Sequence, residues 1–151
     1  MAQSLYFGNQ TAGPTASCGS GRLNVASGKQ GVRNVSGTVR IQTTLDLAGG
    51  TFTLDATTGV YTFDGVTLAG GTLAIDAGGS PSVSNSSNIF TGMTVNGVVN
   101  LDQNFATIRL KDGLTLNGAF NLTGSGSRVV ADNTLTIGGS ANIQLDSVSS
   151  S

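Results

Sequence analysis

Leu114-Thr115-Leu116-Asn117-Gly118-Ala119-Phe120-Asn121-Leu122 sets out the rule on which the chain is built. Two apolar residues flank a polar one, a small residue and Gly follow, and a second alternation begins. Residues two apart in a strand share a face, so Leu114 and Leu116 point one way and Thr115 the other. The same shape stands at Leu45-Asp46-Leu47-Ala48-Gly49-Gly50, Val66-Thr67-Leu68-Ala69-Gly70-Gly71, Met93-Thr94-Val95-Asn96-Gly97 and Leu135-Thr136-Ile137-Gly138-Gly139. A fainter copy is Leu23-Asn24-Val25-Ala26-Ser27-Gly28. From Leu23 the copies begin 22, 21, 27, 21 and 21 residues apart.

Each copy continues in the same way. A second strand alternates at Phe52 and Leu54, Leu73 and Ile75, Val99 and Leu101, Phe120 and Leu122, and Ile143 and Leu145. A third, weaker strand holds Val60 to Phe63, Ile89-Phe90, Ile108 to Leu110 and Val129-Val130. It closes on turn pairs such as Asp64-Gly65 and Asp112-Gly113. Three strands and three corners in about 21 residues make one coil of a staircase. The reading stacks Leu68, Val95, Leu116 and Ile137 in one inward column. It treats Gly78 to Ser87 as a loop bulging from the single 27-residue coil.

Composition agrees. The chain has 151 residues, 23 of them Gly, with no His and no Trp. Its charged fraction is 10%, against about 25% in typical domains. An antiparallel sandwich also has many short strands. It gives no reason, however, for Gly, Asp-Gly and apolar triplets to return at a fixed interval, whereas stacked coils require it. The expectation is all-β: a parallel β-helix, or β-solenoid, of about six coils of ~21 residues with three short strands each. Residues 1–21 fall outside the repeat as an N-terminal arm or cap, and residues 22–151 form the solenoid.

Charge and cysteine exclude several functions. Residues 1–45 carry +4 and residues 46–151 carry −5, for a net −1. The cations are too spread, and too poor in neighbouring aromatics, for a nucleic-acid face. Cys18 is the lone cysteine and has no His to activate it. No apolar run of 18 residues exists for membrane insertion. Residues 1–20 do not read as a signal peptide, which leaves cytosolic placement, another export route or a piece of a longer chain as expectations.

The units Val66 to Asp76 and Leu114 to Leu122 resemble the β-solenoid repeats of bacterial surface proteins, autotransporter passengers and filamentous-haemagglutinin-like adhesins among them. The resemblance covers about residues 22–148. It implies a right-handed parallel β-helix, an extracellular or cell-surface setting, and adhesion or scaffolding.

Two columns merit a chemical reading. Asp55, Asp76 and Asp102 follow the second strand and would stack ~4.8 Å apart. Paired carboxylates serve glycoside hydrolysis or hold a cation. Yet each sits where a turn uses Asp to bind its own backbone, and no Glu is present. The expectation is no catalysis, no metal and no cofactor. Thr67, Thr94, Thr115 and Thr136 form an outward column best explained by cross-strand packing. Asn96 and Asn117 can stack as an amide ladder.

The ends carry the functional expectation. Leu5-Tyr6-Phe7 is apolar and precedes the repeat, and Ile143 and Leu145 close it with no polar cap after them. An uncapped edge templates another chain, and a non-closing head-to-tail contact gives a filament. The expected role is a structural, self-associating extracellular scaffold or fibre segment. The alternative is an adhesin segment that binds glycan or a host surface. A polysaccharide-processing enzyme ranks third.

Overall fold

The computed structural model of the chain describes residues 23–24, 38–58 and 60–145. These residues form strands and turns, with no helix among them. The strands are β1 (Leu23–Asn24), β2 (Thr38–Ile41), β3 (Thr44–Asp46), β4 (Thr51–Leu54), β5 (Val60–Phe63), β6 (Thr67–Ala69) and β7 (Thr72–Ile75). They continue with β8 (Ser82–Val83), β9 (Ser87–Leu101), β10 (Thr107–Leu122), β11 (Arg128–Ala131), β12 (Ile137–Gly138) and β13 (Asn142–Leu145). Their pairings are parallel, and each joins a strand to its counterpart about one coil on. The fold is a β-solenoid of about five described coils, one fewer than the spacing suggests.

Three faces run along the stack. Face A carries β1, β3, β6, the start of β9, the start of β10 and β11, with Leu45, Leu68, Phe90 and Leu110 in one column. Face B carries β4, β7, the middle of β9 and β10, and β12, with Phe52, Leu73, Val95 and Leu116 in register. Face C carries β2, β5, β8, the ends of β9 and β10, and β13. There Ile41, Phe63 and Val83 form one column, and Val99, Phe120 and Ile143 another.

The alternation of apolar and polar residues produces this directly. In β5 and β7 every second side chain is buried. Parallel pairing in register then lays like on like. The interior is a narrow apolar prism, in which Leu45, Leu68, Leu73, Phe90, Val95, Leu116 and Phe120 are fully buried. Aromatic rings meet edge to face inside it: Phe52 and Tyr61 at 5.4 Å, Phe63 and Phe90 at 6.3 Å. Such contacts add roughly 0.5–1.5 kcal/mol beyond area burial.

The register corrects the expected columns. Val95 and Leu116 do stack. Leu68 lies against Phe90 instead of Val95, and Ile137 lies against Leu114 instead of Leu116. Among the described residues no coil has 27 residues: Leu68 to Phe90 and Thr72 to Thr94 are both steps of 22. The stretch expected to bulge out is part of the stack. Ser82–Val83 is a face C strand that bridges β5 and β9, and Val83 is fully buried beside Phe63. The Val66 triplet belongs to face A and the Met93 triplet to face B. Counting from one to the other spans a coil plus a face.

The strands also differ from three separate short ones. β9 and β10 run through whole coils, bending at Gly92 and Gly97, and at Asp112-Gly113. At the Gly97 bend φ is +106°, a region in which side-chain-bearing residues are strained.

Candidate functional site

The outward threonines form a column, but of different members. Thr51, Thr72, Thr94 and Thr115 are in register along face B. Of the four expected, Thr94 and Thr115 belong to it. Thr67 lies on face A between Thr44 and Ile89. Thr136 sits at a corner, where its carbonyl accepts from the Leu114 amide at 3.1 Å. Beside the threonines run Thr53, Ala74, Asn96 and Asn117.

The three aspartates are also split. Leu54 pairs with Ile75, so Asp55 and Asp76 follow at the same corner. Asp102 follows Leu101 on face C, at a different corner. Asp55 serves its own turn: Oδ1 accepts from the Thr57 amide at 2.7 Å, the Thr57 hydroxyl at 2.7 Å and the Thr58 amide at 3.0 Å. Among the described residues no group of three His, Cys, Asp or Glu is placed to hold a metal ion. No helix among them is long and apolar enough to cross a membrane.

Two carboxylates absent from the expected columns, Asp64 and Asp132, are tied to cations. Asp64 Oδ1 accepts from the hydroxyls of Ser84 and Ser86, each at 2.7 Å. Its Oδ2 accepts from Gln42 at 2.8 Å and lies 3.3 Å from Arg40 Nη1. The Ser86 and Ser84 hydrogen bonds, with Gln42 and Arg40 adding to them, hold this carboxyl below its ordinary range. Asp132 lies 2.5 Å from Arg109 Nη2 and 3.3 Å from Lys111 Nζ. The Arg109 hydrogen bond, followed by Lys111, lowers its pKa as well. Asp64 reads in the sequence only as half of an Asp-Gly turn. Nothing local points to the serines 20 and 22 residues on that bind it.

Two amide ladders climb the outside. Asn117 Nδ2 donates to Asn96 Oδ1 at 3.0 Å, as expected. Asn121 Nδ2 donates to Asn100 Oδ1 at 3.0 Å on face C, a second ladder that the shared 21-residue spacing announces. A buried amide, Asn88, is missed by the sequence reading. Its Oδ1 accepts from the Gly65 and Val66 amides, and its Nδ2 donates to the Ser84, Ser86 and Thr107 carbonyls.

Two open grooves cross this exterior. One, of about 600 Å³, runs along the corner between faces A and B past Gly71, Gly92 and Gly113, with Thr72, Thr94 and Thr115 beside it. The other, of about 560 Å³, is lined by Arg40, Thr62, Ser82, Ser84, Asn85, Asp102, Gln103 and Asn104. All eight of these can hydrogen-bond.

The last described coil leaves apolar groups near the surface. Ile137 is 39% exposed and Ile143 40% exposed. Leu145 pairs with Leu122 through the backbone. Leu5, Tyr6, Phe7 and Cys18 lie outside the described residues. Comparison of the chain with protein-family models, with curated proteins and with solved structures finds no match.

Proposed function

We propose that the protein is a non-enzymatic structural β-solenoid, an extracellular scaffold or fibre segment whose coils stack end on end. One observation carries the reading. β11, β12 and β13 pair with β10 on one side, and no other described strand lies against their far edges. Ile137 and Ile143 stand half-exposed along that edge. Unpaired parallel backbone beside apolar side chains is the surface on which another coil sits. The extracellular setting rests on the resemblance of the repeats to bacterial surface solenoids.

Negative-stain microscopy and sedimentation over a concentration series test it. Filaments should lengthen with concentration and disappear in the Ile137→Asp/Ile143→Lys double variant. A monodisperse monomer at every concentration would reject the proposal.

A second reading is an adhesin segment that binds glycan, favoured by the wholly hydrogen-bonding lining of the Ser82–Asn104 groove. Retention on an oligosaccharide array that is lost in Asp102→Ala/Asn104→Ala would support it. Polysaccharide processing is disfavoured by the separation of Asp102 from Asp55 and Asp76.

A further inference from the structure

Where face B turns into face C, the backbone of one coil passes so close to its neighbour that a side chain does not fit. A methyl group on Gly118 would overlap the Gly97 carbonyl, and one on Gly97 would overlap the Ile75 carbonyl. One residue earlier, Asn96 and Asn117 form their ladder on the outside. Close approach calls for Gly, and the ladder calls for Asn. Together they place an Asn-Gly pair at the same corner of successive coils.

Asn-Gly is also the pair most prone to cyclise. With no Cβ in the way, the Gly amide nitrogen attacks the Asn Cγ. The new C–N bond closes a five-membered succinimide, the old Cγ–Nδ2 bond breaks, and ammonia leaves with a proton. Water then opens the ring at either carbonyl to give aspartate or isoaspartate. The net change is one water consumed and one ammonia released, with no oxidant. Such asparagines are counted among thermolabile residues.

We propose that Asn96-Gly97 and Asn117-Gly118 are a paired modification site that the amide ladder holds shut. Both asparagines are exposed, so water has access. The peptides are fixed in β9 and β10, with Asn117 paired to Asn96 and Gly118 to Gly97. Each side-chain amide is tied to the other, so neither swings back over its own following nitrogen. Ring closure waits for local opening of the corner.

Reaction at Asn117 removes the Nδ2 donor and sets a carboxylate against the Asn96 Oδ1. Isoaspartate also adds a methylene to the main chain, which pushes Phe120 and Leu122 out of column with Val99 and Leu101. One reaction therefore releases its partner and loosens the coil.

The test is peptide mapping by mass spectrometry of the whole chain, held at mildly alkaline pH in native buffer and in concentrated urea. Asn85, exposed and followed by Ser86, is the internal reference. Both Asn-Gly sites should react in urea and should react slower in native buffer by on the order of tenfold or more relative to Asn85. Asn96→Ser, checked for native circular dichroism, should speed loss of Asn117 and leave Asn85 unchanged. Equal native and unfolded rates, absence of reaction in urea, or an unaltered Asn117 rate in Asn96→Ser would each overturn the proposal. The urea comparison uses wild-type protein, so it decides even if the variant fails to fold.

Discussion

Asn88 lies in register against Ile108, so a primary amide occupies an inward position that the next two coils give to Ile108 and Val129. It is fully buried. It is also fully satisfied, with both sides of the amide bonded to backbone groups drawn from three successive coils. Burying an amide without partners would cost several kcal/mol. Here it closes a corner where Gly65 and Val66 have no strand partner for their amides. Asn88→Ala would strand two donors and three acceptors, and the expected loss is about 3 kcal/mol or more. Urea denaturation at neutral pH measures it. A loss below about 1 kcal/mol would mean that water replaces the side chain.

Glycine tolerance should follow the stacking. Gly118→Ala forces a methyl group into the Gly97 carbonyl and should destabilise by more than about 2 kcal/mol. At Gly138 a methyl group would meet nothing within 4 Å. Gly138→Ala should be neutral, or stabilising by up to about 1 kcal/mol, since it restricts the unfolded chain. Melting temperatures of the two variants decide, and equal effects would contradict the register.

Truncation of the prism should be felt by column. Leu73→Ala removes a fully buried side chain between Phe52 and Val95 and should cost about 2–5 kcal/mol. Val98, 40% exposed on face C, should change stability by no more than about 0.5 kcal/mol when replaced by Ala.

Acid should act through Asp64. Its folded pKa is lowered, so the carboxylate adds stability above the unfolded value of about 3.9 and loses it as pH falls through the folded value. The urea midpoint should drop as pH falls from about 5 to about 2, roughly one unit above to two units below that unfolded value. Asp64→Asn should lower the neutral midpoint and flatten the acid slope. An unchanged slope would remove Asp64 from the account.

Alkali should act through Tyr61. Burial pushes its phenol well above the ordinary range. With the folded value raised, stability is complete below the unfolded pKa of about 10 and falls as pH rises beyond it. Tyr61→Phe should flatten that alkaline arm, and ultraviolet titration should lose its late-ionising phenol.

The sequence made the class of fold legible because Leu114-Thr115-Leu116 and its copies alternate and recur. It did not fix the phase. Faces A, B and C all carry apolar-x-apolar triplets, so Val66-Thr67-Leu68 and Met93-Thr94-Val95 look equivalent although they lie on different faces. Slipping by one face still sets apolar triplet on apolar triplet, so the pattern registers little penalty. Val83 could have marked the missing strand, but a lone aliphatic among Ser, Pro and Gly reads as loop. The Asn96–Asn117 ladder was visible because both members share one spacing. Asn88 and the serines around Asp64 were hidden because their partners are backbone groups or residues a full coil away.

The pairing of β9 with β10 runs from Thr107 against Ser87 to Leu122 against Leu101, interrupted only between Lys111 and Leu114. Elsewhere the ladders are one to four residue pairs long. Under tension along the axis, the short seams open before the long one. A stretched molecule therefore peels inward from both ends, and the doublet around Asn96 and Asn117 is the clasp that lets go last.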